Sequence, residues 1–259
     1  MAASPHPDVV AAALGGLLPL LPPARLPAAV AAAHAISDDR TRAVGLAELV
    51  PALPAELRAT AVAAAVDALL ASPVYGWFHP LGTLGPHATP AQLARLWAAA
   101  LAEEDDYPQG ALAALAPHVD PERREQALGL ALGYEPAHRV EALGGLVPHL
   151  DEAQRRRAYR AVSEIGEPST WAVGLAGLVA YLAPADAAEA TEAALTTAAG
   201  LRDPVARTRL LTDLARRLDG PARETALAWA FAAARTIGAE QRGPRFPALT
   251  DLVPLLADG

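Results

Sequence analysis

Three histidines stand one residue beyond a proline at recurring intervals: His87 after Pro86, His118 after Pro117 and His149 after Pro148, with Tyr181 in the equivalent place one interval later. Imidazole is a common transition-metal ligand. A metal site needs a second ligand at helical spacing or a nearby carboxylate, and none accompanies these residues, so no metal ligand set is assigned. Their simplest role is as exposed turn residues; their functional role would be a row facing a partner. Arg155, Arg156, Arg157 and Arg160 form the only basic cluster, suited to a phosphate or an acidic partner, though a solvated helix surface explains it as well. Tyr75, Trp77, Phe78 and His79 gather aromatic rings in what reads as a loop, and exposed rings of this kind anchor interfaces. The acidic run Glu103–Asp106 lacks the ligand spacing of a calcium loop and reads as solvated.

Several chemistries are excluded. The chain has no Cys and no Lys, which removes disulfides, thiol nucleophiles, Schiff-base chemistry and a lysine-bearing phosphate loop. It contains no G-x-S-x-G, no H-E-x-x-H and no Gly-rich phosphate cradle, so no catalytic residue is assigned and no cofactor is implied. A net charge of −8 disfavours nucleic acid and anionic membrane as general partners. No apolar run reaches the roughly 18 residues of a membrane span without Pro or charge. Val9 to Leu21 is apolar, but no basic residue precedes it and prolines interrupt it, so a cytoplasmic location is expected.

The elements that position these residues are announced by composition and periodicity. Of 259 residues, 65 are Ala and 39 are Leu, the two leading helix formers among apolar residues. The phrase L-x-x-L-x-P-x-(L/V), with local departures, recurs with first leucines at Leu14, Leu46, Leu81, Leu112, Leu143, Leu175, Leu211 and Leu249, spaced 31 to 38 residues apart. Ala180 and Arg216 replace the Pro in the sixth and seventh copies. A second phrase, R-x-x-A, follows in phase 11 or 12 residues after the anchor at Arg25, Arg58, Arg124, Arg155 and Arg223. Each unit therefore reads as a helix pair. Helix A carries one apolar stripe and stops near the Pro, which disfavours helical geometry in the residue before it. Helix B starts at caps such as Thr89, Asp120, Asp151 and Asp219 and ends near Gly133, Gly166 or Gly238 in a left-handed turn. A small residue after each anchor, among them Gly82, Ala113, Gly144 and Ala176, is expected to let neighbouring helices approach closely.

Four residues before the anchors stand Arg42, Trp77, Arg139, Trp171, Arg207 and Arg245. Asp38, Glu135 and Asp203 precede three of the arginines by one helical turn, giving expected i, i+4 pairs and an inter-repeat clamp. The functional alternative is an arginine row gripping an acidic peptide.

One helix pair cannot bury its own apolar face, so stacking is expected to give an all-α solenoid of about seven antiparallel pairs plus a final helix, residues 1–259 forming a single helical-repeat domain. On these phrases the chain resembles the HEAT-like and TPR-like helical-repeat superfamily. The Pro in helix A is similar to HEAT repeats and the spacing to TPR repeats. The resemblance implies a non-catalytic scaffold that binds a protein or peptide on one solenoid face. Two other readings stand beside it: a nucleic-acid-acting HEAT-like protein using the Arg155–Arg160 cluster, and a small-molecule enzyme with a site near the Tyr75–His79 loop. The final helix, Leu249 to Leu256, has no helix B to cover it, which leaves a surface for pairing with a second copy.

Overall fold

The computed structural model describes residues 21–74, 77–102 and 108–237. These residues form thirteen α-helices and no strand. In chain order the helices are α1 (Leu26–His34), α2 (Asp39–Leu49), α3 (Ala55–Leu70), α4 (Phe78–Leu84), α5 (Pro90–Ala102), α6 (Gln109–Leu115), α7 (Pro121–Gly133), α8 (Pro136–Leu146), α9 (Glu152–Ser163), α10 (Pro168–Leu178), α11 (Pro184–Ala199), α12 (Pro204–Ala215) and α13 (Gly220–Arg235). Even-numbered helices are the A helices of the repeat and odd-numbered ones the B helices. Connections of two to seven residues favour antiparallel packing of consecutive helices within each unit. The chain divides into two compact units, residues 1–127 and 128–259.

Within the first unit, α2, α4 and α6 pack side by side as a row of A helices, and α3 packs on α5. Within the second, α8, α10 and α12 form the A row and α11 packs on α13. This two-row arrangement is the solenoid pattern the repeat implies. The anchors Leu46, Leu81, Leu112, Leu143, Leu175 and Leu211 are all buried, as are the leucines three residues after them. Leu14 and Leu249, with the final helix, lie outside the described residues.

Helix starts follow the caps. Asp38 accepts from the Thr41 N–H at 2.8 Å, Asp120 from the Arg123 N–H at 2.9 Å, and Glu167 from the N–H groups of Ser169 and Thr170 at 3.0 and 2.6 Å. Thr89 with Gln92, and Asp151 with Gln154, exchange bonds in both directions, satisfying two orphan donors each. Asp219 makes no side-chain cap; Gly220, at φ +54°, starts that helix instead, a conformation Gly adopts without a Cβ penalty.

Two expectations about helix ends are corrected. No described glycine other than Gly220 has positive φ, so Gly133 and Gly166 are not left-handed caps; the chain leaves α9, for example, through Glu164 at φ −84°, ψ −4°. The residue before the repeat proline also stays helical, as at Val50 (φ −49°, ψ −45°). The proline occupies the second position of a 3₁₀ turn: Val50–Ala52, Gly85–His87, Ala116–His118 and Val147–His149. Without an N–H the proline cannot continue the i→i−4 ladder, so the α-helix ends at this turn. The chain turns extended only afterwards, at Leu53, Ala88, Val119 and Leu150. Val179–Tyr181 makes the same turn with Ala180 in place of Pro, so the turn is set by packing and Pro only pre-shapes it.

The small residues divide into two kinds. Ala47, Ala113 and Ala176 are buried. A Cβ added to Gly82 or Gly144 would meet nothing within 4 Å, so close approach does not account for these glycines. Close approach occurs one residue before the anchor, at Gly174, where a Cβ would sit 2.7 Å from Val162 and 2.8 Å from Val140.

Candidate functional site

The arginines four residues before the anchors reach backward. Arg42 donates from Nη1 to the Ile36 carbonyl at 2.8 Å, Arg139 from Nη2 to Tyr134 at 3.1 Å, and Arg207 from Nη1 to Leu201 at 3.2 Å. Each acceptor lies just past the end of the preceding B helix, where exposed carbonyls attract a cation. Arg139 also reaches the Ala161 carbonyl at 3.3 Å and Arg207 the Thr236 hydroxyl at 3.4 Å, so each head ties the end of one B helix to the end of the next. The clamp exists, but the expected pairs Asp38–Arg42, Glu135–Arg139 and Asp203–Arg207 do not form. Asp38 and Asp203 are spent on helix caps, and Arg42 pairs with Asp39. The Thr41 hydroxyl and N–H hold the Asp38 carboxyl below the usual carboxylate range. Thr170 does the same to Glu167.

Trp77 performs the arginine's task. Its indole Nε1 donates to the Ser72 carbonyl at 3.2 Å, just past the end of α3. Its side chain is 1% exposed, so the expected surface role is corrected: a residue this buried cannot meet a partner. Its neighbour Phe78 is 61% exposed and lies against Gly110 on α6, 3.8 Å from where a Cβ would stand. His79 is exposed and bonds Glu48 on α2 at 2.8 Å. Tyr75 lies outside the described residues.

The histidine row is partly a packing device. The His118 ring lies against Gly85 in the preceding turn, where a Cβ would fall 2.2 Å from its Cδ2. His87, His118, His149 and Tyr181 are all half-buried. No group of three His, Asp or Glu able to hold a metal occurs among the described residues.

The basic cluster does not act as one surface. Arg155 is half-buried, donates from Nε to the Val147 carbonyl at 3.3 Å, and lies 5.7 Å above the Tyr181 ring. Arg58 makes the matching bond to Leu53 at 2.7 Å, so the R-x-x-A arginine closes the turn after its own A helix. Arg156 pairs with Glu152, and Arg157 is engaged as well. Arg160 remains exposed on α9.

A site not visible in the sequence lies on the A row of the second unit. A groove of about 660 Å³ is lined by Glu141, Gly144 and Gly145 of α8, by Val173, Ala176 and Gly177 of α10, and by Ala180, Tyr181 and Arg217. A second cavity of about 370 Å³ shares Ala137, Val140 and Val173 with it and adds Ser169, Thr170, Ala206, Arg209 and Asp213. The two adjoin over α10 at the shared Ala137, Val140 and Val173 and together make up the channel; α8 lines both parts, α12 only the second, and Arg217, two residues past α12, the first. Arg217 reaches into it: its Nη1 lies 3.5 Å from where a Gly177 Cβ would stand. Asp213 is paired with Arg216 at 3.0 Å.

No family model and no curated protein matches the chain. The channel's floor is small and apolar, and its walls carry isolated charges. The one signal in the sequence was a departure: the seventh copy replaces Pro with Arg216 and continues with Arg217. No helix among the described residues is long and apolar enough to cross a membrane.

Proposed function

We propose that the chain is a non-catalytic interaction module that binds a peptide segment of a partner protein along α10, between α8 and α12. The observation that carries this reading is the channel itself: glycines 144, 145 and 177 leave an A-helix row bare where a larger side chain would meet open space at Gly144. The recurring phrases support kinship with HEAT-like and TPR-like repeats, and a cytoplasmic location belongs to the same reading. Pairing of two copies through the final helix concerns residues outside those described.

The test uses a displayed library of random peptides against the full chain and its Gly144→Trp variant. Position 144 has room for the new side chain, so the variant should keep its helical circular dichroism and melting temperature. Peptides enriched on the wild-type protein should lose binding to the variant at least tenfold. Equal binding to both proteins, or no enrichment on the wild type, overturns the reading.

A further inference from the structure

We infer that the channel along α10 selects an acidic peptide, its carboxylates held by Arg217 and Arg209. This rests on the proposed peptide-binding reading and adds the chemistry of the ligand.

Charge decides the composition. The ionisable groups lining the channel are Glu141, Arg209, Asp213, Arg217 and the Tyr181 hydroxyl. Asp213 is engaged by Arg216. The side chains of Arg209 and Arg217 are exposed and make no ion pair or hydrogen bond among the described residues. The reason is visible in the repeat. His79, two residues before its anchor, bonds Glu48, two residues after the anchor of the preceding repeat. Arg209 stands two residues before Leu211, and the matching position in the preceding repeat is Gly177. The repeat thus offers a cation on one helix and withholds the acid on the next. Glu141, on the α8 wall, opposes a carboxylate there and directs the ligand's acids to the α12 side.

Arg209 lies on α12 and Arg217 two residues past its end, so the two guanidinium groups mark separate points along the channel and a peptide with two carboxylates can engage both. Nucleic acid fits less well: two isolated guanidinium groups on a chain of net charge −8 do not make a phosphate track.

The experiment is fluorescence polarisation of the full chain with four labelled probes: a peptide with Glu at its first and fifth positions and Ala and Gly between, its Gln version, its Lys version and a single-stranded RNA of ten nucleotides. The Glu peptide should bind at least tenfold more tightly than the Gln peptide. The charge-reversed protein Arg209→Glu/Arg217→Glu should lose the Glu peptide and prefer the Lys version, which shows that the variant is folded and that charge sets the choice. Equal binding of Glu and Gln peptides, tighter binding of RNA, or no switch in the reversed protein overturns the inference. If library peptides bind and Gly144→Trp removes them while Glu and Gln are not distinguished, the inference falls and the peptide-binding reading stands.

Discussion

The A rows of the two units are built on the same phrase and end with different surfaces. In the first, Phe78 lies over Gly110 and His79 bonds Glu48, so side chains of one repeat cover or hydrogen-bond its neighbour. In the second, Gly145 and Gly177 take the place that Glu48 holds in its own repeat, and Arg209 is left without a partner among the described residues. The anchors beneath are equally buried in both rows. Identical packing below and different cover above means that the surface is free to vary without cost to the stack, and the second row is where it has been left open.

The largest test of this comparison truncates the shared foundation. Leu81→Ala and Leu175→Ala each remove a fully packed side chain from one row and should each cost about 2–5 kcal/mol in urea unfolding. A cost near zero at either position would mean that the two rows are not built alike. Next in size is a contrast of glycines in the second row. Gly174→Ala places a methyl against Val140 and Val162 and should destabilise by about 1–3 kcal/mol. Gly144→Ala meets open space and should stabilise by about 0.5–1 kcal/mol through helix propensity.

The caps supply a smaller, pH-dependent effect. Hydrogen bonds from Thr41 and Thr170 depress the carboxyls of Asp38 and Glu167. A depressed native carboxyl stabilises the fold above its unfolded pKa and stops doing so as pH falls through the lower native value. Asp38→Ala and Glu167→Ala should each cost about 1 kcal/mol at pH 7, and the difference from wild type should shrink as urea unfolding is repeated at pH values falling below the ordinary carboxylate range. A difference unchanged by acid would show that the caps are not the cause. The smallest stability effect belongs to Gly177→Glu, which restores the acid that the first row has. An exposed pair of this kind contributes about 0–1 kcal/mol, yet the variant should lose the acidic peptide by at least tenfold in the polarisation assay. Retained binding would break the analogy between Glu48 and Gly177.

Much of the fold was legible because the anchors repeat and each copy tests the others. The helix pairs, the buried leucines and the caps at Thr89, Asp120 and Asp151 follow from local spacing. What was not legible depends on which residue meets which across repeats. Trp77 reads as a loop aromatic, and only the Ser72 carbonyl beside it shows that it stands in for Arg42, Arg139 and Arg207. Arg155 reads as part of a basic patch, and only Tyr181 of the next repeat and the Val147 carbonyl show that it is committed to packing. The channel escaped for the same reason: Gly144 looks like a packing glycine until the space above it is seen to be open. The exposed Phe78 and Arg160 and the half-buried Tyr181 were expected at a partner surface; of these, Tyr181 lines the channel.

The most direct test is a titration of the full chain with the Glu peptide, followed by amide chemical shifts. Glycine amides resolve well and mark both rows. Gly144, Gly145 and Gly177 should shift in a saturable manner, while Gly82 and Gly110 stay in place. Shifts at Gly82 and Gly110 with none along α10, or no saturable shift in either row, would contradict the account.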